Sequence, residues 1–231
     1  MDYSSKDSVI EYLRSISEEK YKTFSKGLIP GEFEMIGVRI PTLKRIAKEI
    51  SKGDYEAFLK IEDDDIFELK MLKGQVIANI KDKDEYEAQF FKYLPKITDW
   101  SLCDTFVASS KVISRNRERF FEIAKDLLKE KDEFKNRIAF VILLDYFVND
   151  EYYKQIYSLI KGYESEYYYS NMALAWLISV LYVAYPSKTL QFLKKNRFSG
   201  EVIKYTIRKI KDSYRVSEDD KNALKELTKQ K

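Results

Sequence analysis

The chain has 231 residues, 45% hydrophobic and 34% charged, with only 7 Gly and 4 Pro. This composition supports a sizeable core, excludes a disordered chain and leaves too few turn residues for an all-β fold. Net charge is +3, with one cysteine, Cys103, and no histidine, which excludes disulfide frameworks, thiolate zinc sites and every nucleophile that depends on histidine.

Helical periodicity runs through nearly every segment. Val9, Ile10, Leu13 and Ile16 form a first apolar stripe, and Tyr21, Phe24 and Leu28 a second. Residues 29–41 contain Pro30, Gly31, Gly37 and Pro41 and read as a structured loop. Pro41 suits the first position of a helix over 42–52 that turns Leu43, Ile46, Ala47 and Ile50 inward. Gly53 and Asp54 then end that helix and cap the next. Further helices are expected over 54–61, 66–79, 85–94, 100–113, 117–130, 133–148, 152–161, 167–184, 187–195, 200–213 and 218–228.

The short links between these segments make neighbouring helices antiparallel. The more apolar helices (66–79, 100–113, 133–148 and 167–184) alternate with amphipathic ones, in a rough period of about 30–40 residues. A compact bundle would need longer crossovers. The expected architecture is all-α, one domain over 1–231, a curved solenoid of HEAT-like antiparallel helical repeats with a concave face. The longest apolar run, from Met172 to Tyr185, is interrupted by Ser179 and too short for a bilayer. With no signal-peptide pattern at the start, a cytoplasmic protein that binds no membrane is expected.

Charge is unevenly spread. Residues 51–100 carry eight Lys/Arg against twelve Asp/Glu, whereas residues 188–215 carry nine against two. Arg208 and Lys209 lie in that basic stretch, which suits either a polyanionic partner such as DNA or a solvated lysine-rich surface. The densest acidic run, Glu62-Asp63-Asp64-Asp65, reads as a solvated loop at a helix N-terminus rather than a metal site. No glycine loop matches a phosphate-binding pattern.

The most constraining segment is Thr98-Asp99-Trp100-Ser101-Leu102-Cys103-Asp104. On a helix, Trp100 and Asp104 are four residues apart and share a face. An aromatic ring beside a carboxylate suits a cationic ligand or a developing cation. Trp176 lies in the most apolar helix, and Arg137 between the two tryptophans in sequence. Each residue also has a plain structural account: Asp104 as a helix-dipole partner, Trp100 and Trp176 as core wedges, Arg137 as a buried ion-pair partner of Asp104. Hydrolysis of an N-glycosidic bond would use such a set, because it passes through an oxocarbenium-like sugar that a carboxylate stabilises. A base that already carries positive charge leaves without a second carboxyl group. At roughly 4 Å and an effective dielectric near 20, the carboxylate–cation contact contributes about 4 kcal/mol, on the order of a thousandfold in rate.

Four separated blocks carry a resemblance. They are Ile36-Gly37-Val38-Arg39-Ile40-Pro41 with Leu43-Lys44-Arg45-Ile46-Ala47-Lys48, Asp99 to Asp104, Asn136-Arg137-Ile138-Ala139, and Met172-Ala173-Leu174-Ala175-Trp176. In order and spacing, over residues 21–217, they resemble the AlkD-type DNA alkylation repair proteins. The resemblance implies a right-handed HEAT-like solenoid with a basic concave face for duplex DNA. It implies removal of cationic 3-methyladenine and 7-methylguanine without flipping the lesion into a pocket. Asp104 would then be the carboxylate that stabilises the sugar cation and positions water, and Trp100 and Trp176 the aromatic pair packing on the lesion nucleotide. Arg137 would grip the DNA backbone, and Arg39 and Lys44 would approach phosphates. No cofactor or metal is implied, and a monomer is expected. Asn171, five residues before Trp176, stands where the resemblance leads one to expect a basic side chain. A non-catalytic HEAT-like module that binds DNA structures or a protein is the alternative.

Overall fold

Helices build nearly all the regular structure of the computed structural model, which describes residues 2–62 and 66–224. Two compact units divide the chain, Met1–Asn116 and Arg117–Lys231. The first holds α1 (Lys6–Ser15), α2 (Glu19–Lys26), α3 (Ile40–Ile50), α4 (Tyr55–Lys60), α5 (Phe67–Ala78), α6 (Lys83–Tyr93), a 3-10 turn (Leu94–Lys96), α7 (Trp100–Ser109) and α8 (Val112–Arg115). The second holds α9 (Arg117–Leu127), α10 (Glu133–Tyr146), α11 (Tyr153–Ile160), α12 (Tyr168–Ala184), α13 (Pro186–Lys195), α14 (Gly200–Lys211) and α15 (Glu218–Ala223). Among the described residues the only strand-like pairing is an isolated bridge between Glu34 and Ile66. No helix among them is long and apolar enough to cross a membrane.

In the first unit α5 packs against α3 and α7, with α4 and α6 alongside. All its residues but Lys70 are buried, as an apolar helix flanked on several sides requires. In the second unit α12 packs against α10 and α14, with α13 beside it and α9 beside α10. Each unit therefore has a central row of three helices with further helices laid against it.

The loop after α2 has a specific anchor. Glu68, buried on α5, accepts the backbone N–H groups of Ile36, Gly37 and Val38 at 2.9, 2.7 and 3.2 Å. Gly37 has φ of +106°, and a Cβ there would sit 2.8 Å from Lys22 Cβ and 2.9 Å from the Glu18 carbonyl. Only glycine fits.

Several expectations need correction. The helix expected over 42–52 starts at Ile40, so Pro41 lies within its first turn. Leu43, Ile46, Ala47 and Ile50 face inward as expected. The Tyr21–Phe24–Leu28 stripe does not, since Phe24 is 65% and Leu28 54% exposed; the eight-residue α2 buries only Ser25. The helix expected over 100–113 breaks after Ser109. There the Ser110 hydroxyl donates to the Phe106 carbonyl at 2.8 Å, and Ser110 takes ψ of 71°. A serine hydroxyl competing for the helix's own carbonyls explains a stop that lacks Gly or Pro. Asp63–Asp65 of the expected acidic loop, and 225–228 of the last expected helix, lie outside the described residues.

Candidate functional site

Asp99 starts α7. Its Oδ1 accepts the N–H groups of Ser101 and Leu102 at 2.8 and 2.9 Å, satisfying two of the donors that a helix leaves unpaired at its N-terminus. Burial pushes its carboxyl up to about 6; the two backbone hydrogen bonds and Lys70 oppose that shift, and Asp104 adds to it. The first turn is thus held by Asp99 rather than by Asp104. Ser101, Leu102, Cys103, Phe106 and Val107 point into the core, whereas Trp100 and Asp104 are half-buried and Ala108 is exposed. Trp100 and Asp104 therefore share one solvent-facing stripe of α7, as their four-residue spacing requires. The Trp100 indole N–H donates to the Leu28 carbonyl at 3.2 Å.

The basic residues expected in this unit are differently placed. Arg39 is exposed and paired with Glu18 through two hydrogen bonds of 2.7 and 2.8 Å, with Tyr21 under its guanidinium at 5.1 Å. The pairing holds the Glu18 carboxyl below its usual range. Lys44 is half-buried on α3, and burial, then Lys111 and Lys48, lower its ammonium from the ordinary value. Lys111 was not singled out by sequence, because it enters this cationic group through the break between α7 and α8.

In the second unit Trp176 belongs to a half-buried stripe of α12 with Met172 and Val180, while Ala173, Ala175, Leu177 and Ile178 fill the core. Pattern alone suggests a core wedge, yet part of the indole remains open. Lys209 Nζ lies 5.4 Å from the centroid of its ring, a cation–π distance. Trp176 and Lys209 line a groove of about 370 Å3 together with residues of the turn after α14. Arg208, the neighbouring candidate, is exposed on the last turn of α14.

Arg137 is only 6% exposed. Its Nη1 donates to the Tyr169 carbonyl at 3.1 Å, and its guanidinium lies 5.9 Å from the Tyr169 ring centroid. Asn171 is also buried, donating to the Ser165 carbonyl at 2.9 Å, so it secures the loop before α12. Sequence spacing brings Trp100 to Asp104; the fold adds Asp99 to that pair and Lys209 to Trp176. The cap signal of an aspartate before a helix could have revealed Asp99, whereas the Trp176–Lys209 pairing joins two helices and has no local signature.

The arrangement can do two things chemically. One unit presents a carboxylate beside an indole, which suits a cationic or cation-forming group. The other presents an indole beside a lysine, which suits a sugar–phosphate. No curated protein matches the sequence. A family model described as DNA alkylation repair enzyme matches residues 9–210, and the chain belongs to that family.

Proposed function

We propose that the protein is a monofunctional DNA glycosylase, hydrolysing the N-glycosidic bond of positively charged alkylpurines such as 3-methyladenine and 7-methylguanine in duplex DNA. Asp104 stabilises the oxocarbenium sugar and positions the attacking water. Trp100 and Trp176 pack against the lesion nucleotide, and Arg39, Lys44, Arg137, Arg208 and Lys209 hold the backbone. The positive charge on the base makes it a leaving group without acid assistance, so a single carboxylate is enough. The reading includes a HEAT-like right-handed solenoid over 1–231 with a concave DNA face, acting as a cytoplasmic monomer without metal or cofactor. The central rows α3–α5–α7 and α10–α12–α14 support the repeat architecture.

One observation carries the catalytic assignment. Asp104 stands half-exposed on the stripe of Trp100, while Asp99 supplies the cap that would otherwise account for a carboxylate there. Incubation with duplex DNA containing 7-methylguanine, followed by measurement of free base, tests the proposal. The wild type should release base, and Asp104→Asn should lose on the order of a thousandfold in rate while still binding the duplex. Full activity of Asp104→Asn would refute the assignment.

The burial of Arg137 and its bond to Tyr169 favour a second reading, a non-catalytic HEAT-like module that binds DNA structures or a protein. That reading expects duplex binding, indifferent to Asp104, with no base released.

A further inference from the structure

Glu133 and Arg137 lie about one turn apart on α10, and both reach the same residue of α12. Glu133 Oε1 accepts the Tyr169 N–H at 2.7 Å, and Arg137 Nη1 donates to the Tyr169 carbonyl at 3.1 Å. Phe134, also on α10, stacks its ring on that of Tyr169 with the centroids 5.7 Å apart. Tyr169 is therefore held by its N–H, its carbonyl and its ring. A further link runs from Asn136 through the Tyr163 hydroxyl to Ser170, at 2.9 and 2.7 Å.

The bond from Glu133 meets a need that α12 does not meet by itself. The first N–H groups of a helix have no partner within it. α10 and α14 satisfy theirs with their own caps, Asp132 and Ser199, whereas Tyr167, the residue before α12, makes no side-chain bond of this kind. A carboxylate from the neighbouring helix takes that place, where the positive end of the α12 dipole favours it. Because this cap comes from α10, it fixes more than the start of α12: it sets the height of one helix along the other.

Tyr169, Met172, Trp176 and Val180 form a half-buried stripe along α12, at the three- and four-residue spacings that keep side chains on one face. Trp176 stands seven positions beyond Tyr169, about 10 Å along the same helix. We propose that Glu133 is a positioning residue for Trp176, acting through the Tyr169 N–H to set where the indole stands. It does so without touching a ligand. The consequence for base release rests on the reading of Trp176 as a surface for the lesion nucleotide, because a misplacement of about 1 Å caused far from the chemistry costs on the order of a hundredfold in rate.

The test follows the indole itself. With two tryptophans in the chain, Trp100→Phe leaves Trp176 as the only one, so fluorescence reports its surroundings alone. In that background Glu133→Ala should shift the emission maximum and raise acrylamide quenching. Glu133→Gln keeps an oxygen for the Tyr169 N–H and should leave both at the parent's values. Single-turnover base release from duplex DNA containing 7-methylguanine is then measured with Trp100 restored. Glu133→Ala should lower the rate at saturation by on the order of tenfold to a hundredfold, with little change in the concentration for half-saturation, and Glu133→Gln should stay close to wild type. Both variants lose the same negative charge, so the difference between them reports the hydrogen bond. Asp82→Ala removes the cap of α6, which holds the Glu85 N–H; it should lower the urea midpoint yet spare both Trp176 fluorescence and base release. In the unaltered protein the Tyr169 amide should exchange as slowly as amides inside α12, a measurement that decides the proposal even if Glu133→Ala does not fold. Rapid exchange there, unchanged Trp176 fluorescence in Glu133→Ala, or equal effects of Ala and Gln would each refute the positioning role and leave the glycosylase reading standing. If the wild type releases no base, that reading falls alone, and fluorescence and exchange still decide what Glu133 does.

Discussion

The Trp100 indole N–H and the Leu28 carbonyl, 72 residues apart in sequence, form a hydrogen bond of 3.2 Å. It ties the first residue of α7 to the segment just after α2, and so fixes the ring that shares a face with Asp104. Trp100→Phe keeps an aromatic ring but removes the donor. We expect a loss of about 1 kcal/mol in stability, read by urea denaturation, together with slower base release. An unchanged denaturation midpoint would show that the bond contributes nothing to holding the ring.

Asp99 gives a pH-dependent signature. Its carboxyl stands at about 6 in the fold against an ordinary 3.8, with burial as the main cause. The folded chain then binds the proton more tightly than the unfolded one, so this group's contribution to stability rises as pH falls from about 6 towards 4 and is lost as pH rises again. The window between 3.8 and about 6 corresponds to about 3 kcal/mol. Asp99→Asn keeps an oxygen for the Ser101 and Leu102 N–H groups but cannot titrate. Its stability relative to wild type should therefore improve between pH 4 and pH 7, by up to about 3 kcal/mol. Parallel denaturation curves at both pH values would contradict the shift.

Arg39 faces a competitor for phosphate in Glu18, which already holds its guanidinium through two bonds. If Arg39 turns to DNA, Glu18→Gln should tighten duplex binding by up to about fivefold, the scale of an exposed ion pair. The same substitution in an Arg39→Gln background should have no effect, a double-mutant cycle that separates this pair from the general loss of a negative charge. Equal effects in both backgrounds would place Arg39 away from the DNA.

Gly37 should tolerate no side chain. Gly37→Ala meets Lys22 Cβ and the Glu18 carbonyl at under 3 Å and a φ of +106°, so a loss of about 1–3 kcal/mol from the backbone conformation alone is expected. Thermal denaturation measures it; a neutral substitution would mean that the loop can rearrange.

How far the sequence could be read depended on the range of the interactions involved. The stripe Leu43, Ile46, Ala47 and Ile50 is a local periodic signal, and it is buried as read. Trp100 and Asp104 were also legible, because four residues on one helix fix their geometry. Phe24 and Leu28 have the same kind of spacing but stand exposed, since periodicity shows that two side chains share a face and not what covers it. The stop at Ser110 was hidden because a hydroxyl, rather than Gly or Pro, ends the helix. The hydrogen bond from Arg137 to the Tyr169 carbonyl joins residues 32 apart in sequence, and such pairings leave no mark in local sequence. Lys209 over Trp176 was invisible for the same reason.

The carboxylate of Glu68 gives the loop ahead of α3 an unusual dependence. The amide protons of Ile36, Gly37 and Val38 are protected by a side chain of α5 rather than by a backbone ladder. Their exchange with solvent should accordingly follow the opening of α5, the most enclosed helix of its unit, and not local fraying. A segment without regular structure would then exchange as slowly as the core, and the block that carries Arg39 would inherit its rigidity from a single buried acid.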